Sequence, residues 1–399
     1  MNDVYIYDAI RTPRGKGKET GSLYSVRPID LLAGLLSAVP ERNNIDSKVI
    51  EDVICGTVTQ TGEQGGCLAK FAALVAGYNE RVPGVMLNRF CGSGLDAIRY
   101  AAALVGSGLN NLVLAGGLES MSRVKMGSDE GALFDPATQW KSISVPQGIS
   151  ADLLATVRGI SRQDVDEFAV ASHQRAAKAA AGKQFSKSLV PVYDCNQTLC
   201  LDYDENVRPD TTSQKLLQLK PSFETVGTTF GLDFLTKHRY PQVENIQHVH
   251  TAGNSSGIVD GAAMVLMGSK SRGESLGLKP KARIRAVSVT ACDPVVMLEG
   301  VVPTTELVLQ KAGMKISDID LFEVNEAFAA VPLWFMRYFN VPHDKVNIHG
   351  GAIALGHPLG ATGAMLVGTL IDALSPGGIG LATLCIGGGM GISAIIERV

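Results

Sequence analysis

The 399-residue chain is 45% hydrophobic and 19% charged, and its formal net charge is −3. A chain of this length can hold two or three domains, and the hydrophobic content is sufficient for a large core. The near-neutral charge gives no basic surface of the kind that binds nucleic acid, so small molecules or other protein chains are the expected partners. No apolar stretch approaches the length of a membrane span, and the N-terminal residues lack the pattern of a signal peptide. We therefore expect a cytoplasmic protein without a membrane span.

Seven cysteines are spread along the chain, at positions 55, 67, 91, 195, 200, 292 and 385. An odd number in a chain of this length argues against a disulfide framework and favours a reducing compartment. None of the seven forms a Cys-x-x-Cys pair or has zinc-site spacing, and the Gly-rich runs contain no phosphate-binding fingerprint. His248 and His250 could share a strand face and bind a surface metal, but two histidines alone are a weak signal. The sequence therefore predicts that neither a metal nor a bound cofactor is needed.

The first half contains a predicted strand that starts at Val4 and, further along, a run around a lone cysteine. In Asn88-Arg89-Phe90-Cys91-Gly92-Ser93-Gly94, the cysteine precedes two glycines, a serine and a helix-like segment. A thiol at a helix N-terminus faces unpaired N–H groups and the positive end of the helix dipole, which both stabilise the thiolate. Glycines also let a ligand approach the backbone closely. Cys91 is therefore a candidate nucleophile, although a small buried core residue is the alternative interpretation.

The region from about 121 to 245 differs from both of its flanks because it holds the most polar stretches of the chain. Within it, an amphipathic helix is predicted from Arg162 to Ala181, with Ser161 as its cap and Asp164 three residues later. We interpret this region as an insertion that lies over one face of the first half and covers a ligand. The alternative is that the region is a solvent-exposed insertion without a role in ligand binding.

A faint internal repeat relates the two ends of the chain. In the first half, a helix-like run over 93–104 is followed by a glycine turn and the apolar strand 112–115. In the second half, a helix-like run over 362–374 is followed by a similar turn and the strand 380–384, about 270 residues later. This duplication predicts two related α/β halves, each with a mostly buried sheet and covering helices.

Three runs of the second half combine a reactive side chain with glycines or a strand end. Asn325 follows the predicted strand 319–324, where α/β proteins bind ligands, although it could simply cap the next helix. His357 stands between a glycine and a proline in a run with five glycines, and imidazole accepts protons near neutral pH. Cys385 ends a strand before the glycines 387–389, whose N–H groups could face an oxyanion. One thiol could act as nucleophile and the other as acid or base.

By their order and approximate spacing, these runs resemble the thiolase family. The match extends from Arg11-Thr12-Pro13 to the Cys385 loop, and it includes the segments 251–257 and 260–263. The resemblance implies an α/β fold of five layers, α-β-α-β-α, made from two similar halves and an inserted loop domain. The expected boundaries are 1–120 with 246–270 for the N-terminal half, 121–245 for the loop domain and 271–399 for the C-terminal half.

The resemblance also implies a role for each reactive residue. Cys91 would attack a 3-ketoacyl-CoA and keep the acyl chain as a thioester, and His357 would take the Cys91 proton. With Asn325 acting through a water, His357 would also hold one thioester oxygen. Cys385 would move the second proton, and the N–H groups of Cys91 and Gly387 would form the other oxyanion hole. The implied enzyme is an acetyl-CoA C-acyltransferase that uses CoA to cleave 3-ketoacyl-CoA into acetyl-CoA and a shortened acyl-CoA, as in fatty-acid β-oxidation.

Coenzyme A is a substrate of this reaction, and five residues match its contacts in the family. Ser256 is expected to meet the pantetheine arm, while Ala327 and Phe328 are expected to line the same tunnel. Arg208 and Ser222 are expected near the nucleotide end, where a basic residue suits a phosphate. The resemblance further implies a homodimer or a homotetramer.

Three alternative functions stay open. Short-chain family members carry His-Met-Gly at the acyl pocket, where this chain has Pro146-Gln147-Gly148. The difference favours longer or branched 3-ketoacyl chains over an acetoacetyl-CoA thiolase, an acetyl-CoA C-acetyltransferase that condenses two acetyl-CoA. The second alternative is a ketoacyl synthase. The decarboxylating site of such an enzyme resembles a Cys-His-His set, whereas this chain has Asn325 and Cys385. A thiolase-like lipid carrier without catalytic activity is the third alternative, and the presence of Cys91 and His357 argues against it.

Overall fold

The computed structural model describes residues 3–132 and 135–399. No helix within these ranges is both long enough and apolar enough to cross a membrane. The strands of the described residues are β1 (Val4–Arg11), β2 (Gly15–Lys16), β3 (Val53–Gly56), β4 (Gly84–Leu87), β5 (Leu112–Ser120), β6 (Val192–Tyr193), β7 (Leu199–Leu201), β8 (Val259–Ser269), β9 (Ala282–Ala291), β10 (Leu321–Val324), β11 (Ile379–Ile386) and β12 (Met390–Arg398).

The α-helices of the described residues vary from single turns to the 20-residue helix that the sequence predicts at Arg162. They are α1 (Pro28–Asn43), α2 (Leu68–Val75), α3 (Ser93–Ser107), α4 (Pro136–Ser142), α5 (Gln147–Val157), α6 (Arg162–Ala181), α7 (Ser213–Leu217), α8 (Glu224–Thr229), α9 (Leu232–Arg239), α10 (Lys270–Ser275), α11 (Val301–Ala312), α12 (Ala330–Phe339), α13 (Ala352–Leu355) and α14 (Leu359–Ala373).

The large sheet repeats one strand pattern in its two halves. The order is β1-β8-β5-β3 in the N-terminal half, with β4 at the edge, and β9-β12-β11-β10 in the C-terminal half. In each half the third and fourth strands are parallel, and the first three strands pair antiparallel. The edge strand β4 pairs parallel with β3. A short pairing of Tyr5 and Ile6 with Arg283 and Ala282 joins the halves. This duplicated topology agrees with the repeat in the sequence.

Helices α3 and α14 fill the space between the two halves of the sheet and pack against each other through glycines. A Cβ atom at Gly94 would lie 2.5 Å from the carbonyl oxygen of Gly360, and one at Gly363 would lie 2.3 Å from the backbone nitrogen of Leu95. Such close approach requires glycine. Helices α1 and α2 cover the outer face of the N-terminal half, and α11 and α12 cover that of the C-terminal half. The result is the five-layered α-β-α-β-α fold predicted from the sequence.

The inserted region between β5 and β8 packs mainly on the C-terminal half. Helix α6 has the predicted bounds, and a reciprocal capping box of Ser161 and Asp164 begins it. Helices α5 and α6 contact α12 and α13, and Leu153 and Phe168 belong to the same apolar core as the C-terminal half. Our expectation that the region lies over the first half was therefore wrong for its helices, because their apolar faces are buried against the second half. The strand pair β6–β7 of the region packs on the N-terminal half, where Val192 and Leu201 belong to the apolar core, and Asp204 adds polar contacts to the same half.

Candidate active site

Cys91 lies in the short connection between β4 and α3, two residues before the helix begins. The preceding Phe90 has a φ of 45°, a left-handed conformation that is unfavourable for an aromatic residue. A local network holds this turn: the Ser93 hydroxyl donates to the Phe90 carbonyl at 2.7 Å and accepts from the Arg89 N–H at 2.8 Å. Backbone strain of this kind is common at functional sites, where surrounding contacts hold it in place.

The Cys91 sulfur is buried and faces three N–H donors. The Nε2 atom of Gln147 lies 3.9 Å away, and the backbone N–H groups of Cys91 itself and of Gly387 also donate toward the sulfur. Burial nevertheless raises the pKa of the Cys91 thiol to about 11, and the three donors offset only part of this effect. The expectation of a stabilised thiolate in the free protein was therefore wrong, because loss of solvation outweighs the helix terminus.

His357 lies directly before α14 and has both ring nitrogens in defined contacts. Its Nδ1 is 2.6 Å from the Thr362 hydroxyl, which donates in turn to the Pro358 carbonyl at 3.0 Å. The hydroxyl oxygen therefore accepts from Nδ1–H, and Nε2 is left as the proton acceptor. Burial, followed by the positive charge of Arg14, lowers the pKa of His357 to about 3. The imidazole is thus neutral and oriented as a base.

Asn325 follows β10 and meets the other side of the same imidazole. Its Nδ2 lies 3.3 Å from Nε2 of His357, and its backbone N–H donates to Thr383 at 3.0 Å. Its Oδ1 is buried without a hydrogen-bond partner among the residues of 3–132 and 135–399. Since buried acceptors are normally paired, this oxygen is a suitable partner for a water or a substrate group.

Cys385 is the second thiol at the site and lies at the end of β11. It is fully buried, and its pKa is raised by burial and then by the electrostatic influence of Cys91. All seven cysteines fall in the described ranges and are free thiols. The structure therefore places Cys91 beside Gly387 and Cys385, and His357 beside Asn325, although the sequence analysis selected these residues from runs far apart in the chain. Leu359, two residues after His357, belongs to the same apolar cluster as Cys91.

Four of the five predicted CoA contacts are linked to one another directly or through His250. The N–H of Ser256 donates to the Ala327 carbonyl at 3.0 Å, and Phe328 is 5.4 Å from the His250 ring. The N–H of Ser222 donates to the His250 carbonyl at 2.9 Å. The fifth residue, Arg208, is exposed and is held by different contacts: its backbone N–H donates to Nδ1 of His173 at 3.1 Å.

Three residues of the site were not assigned a catalytic role from the sequence. Gln147 was noted only as part of the acyl pocket, and Thr362 only as a helix-start residue. Glu119, at the end of β5, accepts hydrogen bonds from the N–H groups of Val58, Thr59 and Gly360 and thereby ties α14 to the N-terminal half. The only sequence signal for Glu119 is an acidic residue at the end of a buried, glycine-containing strand.

The two histidines considered as metal ligands form part of a buried polar network instead. Nδ1 of His248 and Nδ1 of His250 each lie 2.8 Å from Asp152, and Nε2 of His248 lies 3.0 Å from Asp233. Within the described ranges, no group of three or more histidine, cysteine or acidic residues is arranged to hold a metal ion. Independence from metals and cofactors stays a prediction.

Two family models cover most of the chain. Residues 4–234 match the thiolase N-terminal domain and residues 278–398 match the thiolase C-terminal domain. Proteins named 3-ketoacyl-CoA thiolase from Aeromonas hydrophila and Cronobacter sakazakii are 42% and 41% identical, each with 100% of both chains covered.

Solved structures show the same similarity. The dimeric peroxisomal thiolase of Saccharomyces cerevisiae is 34% identical with a TM-score of 0.87, and 100% of this chain and 98% of that chain are covered. Human mitochondrial 3-ketoacyl-CoA thiolase is 32% identical and Bacillus anthracis acetyl-CoA acetyltransferase 33% identical; both have a TM-score of 0.85, with 100% of this chain and 99% of theirs covered. Family models, full-length relatives and fold agree, and the chain belongs to the thiolase family.

Proposed function

We propose that this chain is a 3-ketoacyl-CoA thiolase that transfers an acyl group through a thioester on Cys91. One observation carries the proposal: the buried thiols of Cys91 and Cys385 lie beside backbone N–H donors, and the segment that holds the neutral imidazole of His357 packs against Cys91 through Leu359. Acyl transfer between thiols needs this combination of a sulfur nucleophile, a proton acceptor and oxyanion donors. The relatives in Aeromonas and Cronobacter that bear this name support the same activity.

The first half-reaction transfers the acyl group to the protein. His357 accepts the Cys91 proton, and the sulfur attacks the 3-keto carbon of the substrate. The bond between C2 and C3 then breaks, the acyl chain stays on Cys91, and the acetyl-CoA enolate takes a proton at C2 from Cys385. The N–H groups of Cys91 and Gly387 would hold one oxyanion, and His357 with Asn325 would hold the other.

The second half-reaction returns the protein to its starting state. The Cys385 thiolate accepts the proton of an incoming CoA thiol, and the CoA sulfur attacks the thioester. The shortened acyl-CoA leaves, and Cys91 recovers its proton from His357. The protein supplies every proton acceptor in this scheme, so we propose that no metal, flavin or nicotinamide takes part and that CoA is only a substrate.

Ser256, Ala327, Phe328 and Ser222 are proposed to bind the CoA moiety, with Arg208 near its nucleotide end. Their support is the family resemblance together with the contacts that join Ser256 to Ala327, and Ser222 and Phe328 to His250. The exposed position of Arg208 is suitable for a phosphate in contact with solvent.

Two preferences for the length of the acyl chain are compatible with this function. The alternative, an acetyl-CoA acetyltransferase, is supported by the structural similarity to the Bacillus anthracis enzyme. Gln147 beside Cys91 stands where short-chain members carry methionine, and we propose from this difference that longer or branched 3-ketoacyl chains are preferred.

A substrate panel tests the function directly. Cleavage of 3-ketoacyl-CoAs of increasing length, with free CoA supplied, should release acetyl-CoA, with the highest kcat/KM above the four-carbon substrate. Brief incubation with the preferred acyl-CoA should add the acyl mass to the peptide that contains Cys91. A Cys91→Ala variant is the control and should show neither result. An adduct on Cys385 alone would reverse the assignment of the two thiols, and failure to cleave any substrate would leave the lipid-carrier alternative.

We also propose a cytoplasmic homodimer that assembles through the edge of the N-terminal half. Strand β4 ends the sheet there, and Phe71, Val75 and Val85 beside it are each between 44% and 56% exposed. An unprotected edge with exposed apolar side chains is typical of an interface. Light scattering should give twice the mass of one chain for the wild type and a lower mass for Val85→Lys. A monomeric wild type would contradict this proposal, and a mass of four chains would favour the tetramer.

A further inference from the structure

Of the three N–H donors that face the Cys91 sulfur, one belongs to a side chain, that of Gln147. Its Nε2 lies 3.9 Å from Sγ, a distance consistent with a weak hydrogen bond to the large sulfur atom. A Cβ atom at Gly387 would lie 3.7 Å from the same Nε2. The amide of Gln147 therefore lies beside both the sulfur and the glycine whose N–H is another of the three donors.

The start of α5 fixes the position of this amide. Gln147 is the first residue of the helix, directly after Pro146, whose φ of −58° and ψ of 143° place it outside the helix. The next residue, Gly148, has no side chain to separate the helix from Phe223: a Cβ atom at Gly148 would lie 2.1 to 2.3 Å from three atoms of the aromatic ring. The ring therefore packs directly on the helix backbone. The backbone on both sides of the half-buried Gln147 is thus held in place, and its side chain is directed toward Cys91.

The surroundings of Cys91 oppose its ionisation. Burial raises the pKa of the thiol to about 11, and Glu119 acts electrostatically in the same direction. Burial also keeps the imidazole of His357 neutral at rest, so this ring gives no positive charge to the resting thiol. Negative charge on the sulfur therefore depends on neutral N–H donors. Such donors bind an ion about twice as strongly as a neutral group, so they contribute most when the sulfur is charged.

We propose that Gln147 is a catalytic residue: its side-chain amide donates a hydrogen bond to the Cys91 sulfur whenever that sulfur carries negative charge. The inference rests on the proposed function, in which this charge develops twice. It develops when His357 takes the thiol proton, and again when CoA attacks the thioester and the electron pair of the broken C–S bond returns to Cys91. The backbone N–H groups of Cys91 and Gly387 are assigned to a substrate oxygen in that mechanism, so Gln147 is the donor left for the sulfur.

The test measures alkylation of Cys91 by iodoacetamide at pH 9, because the thiolate is the reactive form. Gln147→Met removes the donor at similar side-chain length, and Gln147→Glu keeps the shape but replaces the donor with an acceptor. Both should slow the alkylation by about 10-fold or more, as expected when a hydrogen bond to a charged group is lost. Ser150→Ala is the matched control in the same helix, because the Ser150 hydroxyl is buried without a hydrogen-bond partner in the described part of the chain. This variant should react at the wild-type rate.

Peptide mass spectrometry reads the modification of Cys91, and the exposed Cys195 in the same samples serves as the reference thiol. Gln147→Leu replaces Gln147→Met if the latter does not fold. Alkylation at the wild-type rate in Gln147→Met would overturn the inference. The wild-type rate in Gln147→Glu would also overturn it, because the shape of the side chain and not its donor would then control the reaction. An equal loss in Ser150→Ala would do the same, since it would indicate a general disturbance of α5. If no 3-ketoacyl-CoA is cleaved, the proposed function fails, whereas alkylation needs no substrate and still decides the role of Gln147.

Discussion

Thr362 offers a sharp test of how the fold orients the imidazole of His357, which we propose as the base. Its hydroxyl oxygen is 2.6 Å from Nδ1 of His357, and the hydroxyl donates to the Pro358 carbonyl at 3.0 Å. The substitution Thr362→Val keeps the size of the side chain but leaves Nδ1–H buried without a partner. An unsatisfied buried donor costs about 1 to 3 kcal/mol. If this cost falls on the catalytic orientation of the ring, kcat/KM should fall by roughly 5- to 150-fold.

The assay is thiolysis of the preferred 3-ketoacyl-CoA, together with the rate of acyl transfer to Cys91. Thr362→Ser retains the hydroxyl and should recover most of the activity. Thr369→Val is the matched control, because Thr369 lies in the same helix and its hydroxyl donates only to the Met365 carbonyl. The reasoning would be refuted by a Thr362→Val enzyme with wild-type kcat/KM, or by an equal loss of activity in Thr369→Val.

Three further predictions concern the second thiol, pH and metals. In Cys385→Ser, acylation of Cys91 should be largely retained while proton exchange at C2 of acetyl-CoA slows by about 10² to 10⁴, because a positioned acid/base has been removed; near-normal exchange would make Cys385 a packing residue. Hydrogen bonding to Asp152, and then to Asp233, raises the pKa of His248 from 6.5 to about 9. The stability that this shift contributes is complete below pH 6.5 and is lost as pH rises through 9. The melting temperature of the wild type should therefore fall over this pH range, and His248→Asn should lack this part of the fall. Dialysis against a chelator should leave thiolysis unchanged, and a loss of activity reversed by zinc would contradict the absence of a metal requirement.

The fold was largely predictable because its signals are local and repeated. The sequence predicts a helix over 93–104 and a strand over 112–115, and the structure has a helix and a strand there. Both elements extend further than predicted, to Ser107 and Ser120. The glycine turns marked the ends of the corresponding elements in the second half. The face on which the inserted region packs was not predictable, because an amphipathic helix such as α6 shows that it buries one side but not which surface receives it.

The sequence singles out candidate residues for the site but does not reveal the contacts between them. Cys91 and His357 stand in runs whose glycines and proline mark special backbone, so the sequence itself singles them out. Gln147 and Thr362 stand in ordinary helix-start positions, and their importance comes from the atoms that they meet in space. A single sequence contains no record of such distances, so partners contributed by other elements were missed.

The protonation of the Cys91 thiol shows how burial changes the meaning of a motif. A cysteine near a helix N-terminus normally has a lowered pKa, yet here burial raises the pKa of Cys91 to about 11 while it lowers that of His357 to about 3. The resting pair is therefore a neutral thiol and a neutral imidazole, and a separated ion pair is unfavourable in the closed site. In the proposed mechanism, the N–H groups of Cys91 and Gly387 contribute most when negative charge develops on a substrate oxygen, because preorganised donors are more effective in a buried site than in water. Burial thus protects the thiol at rest and concentrates the electrostatic stabilisation on the acyl-transfer step.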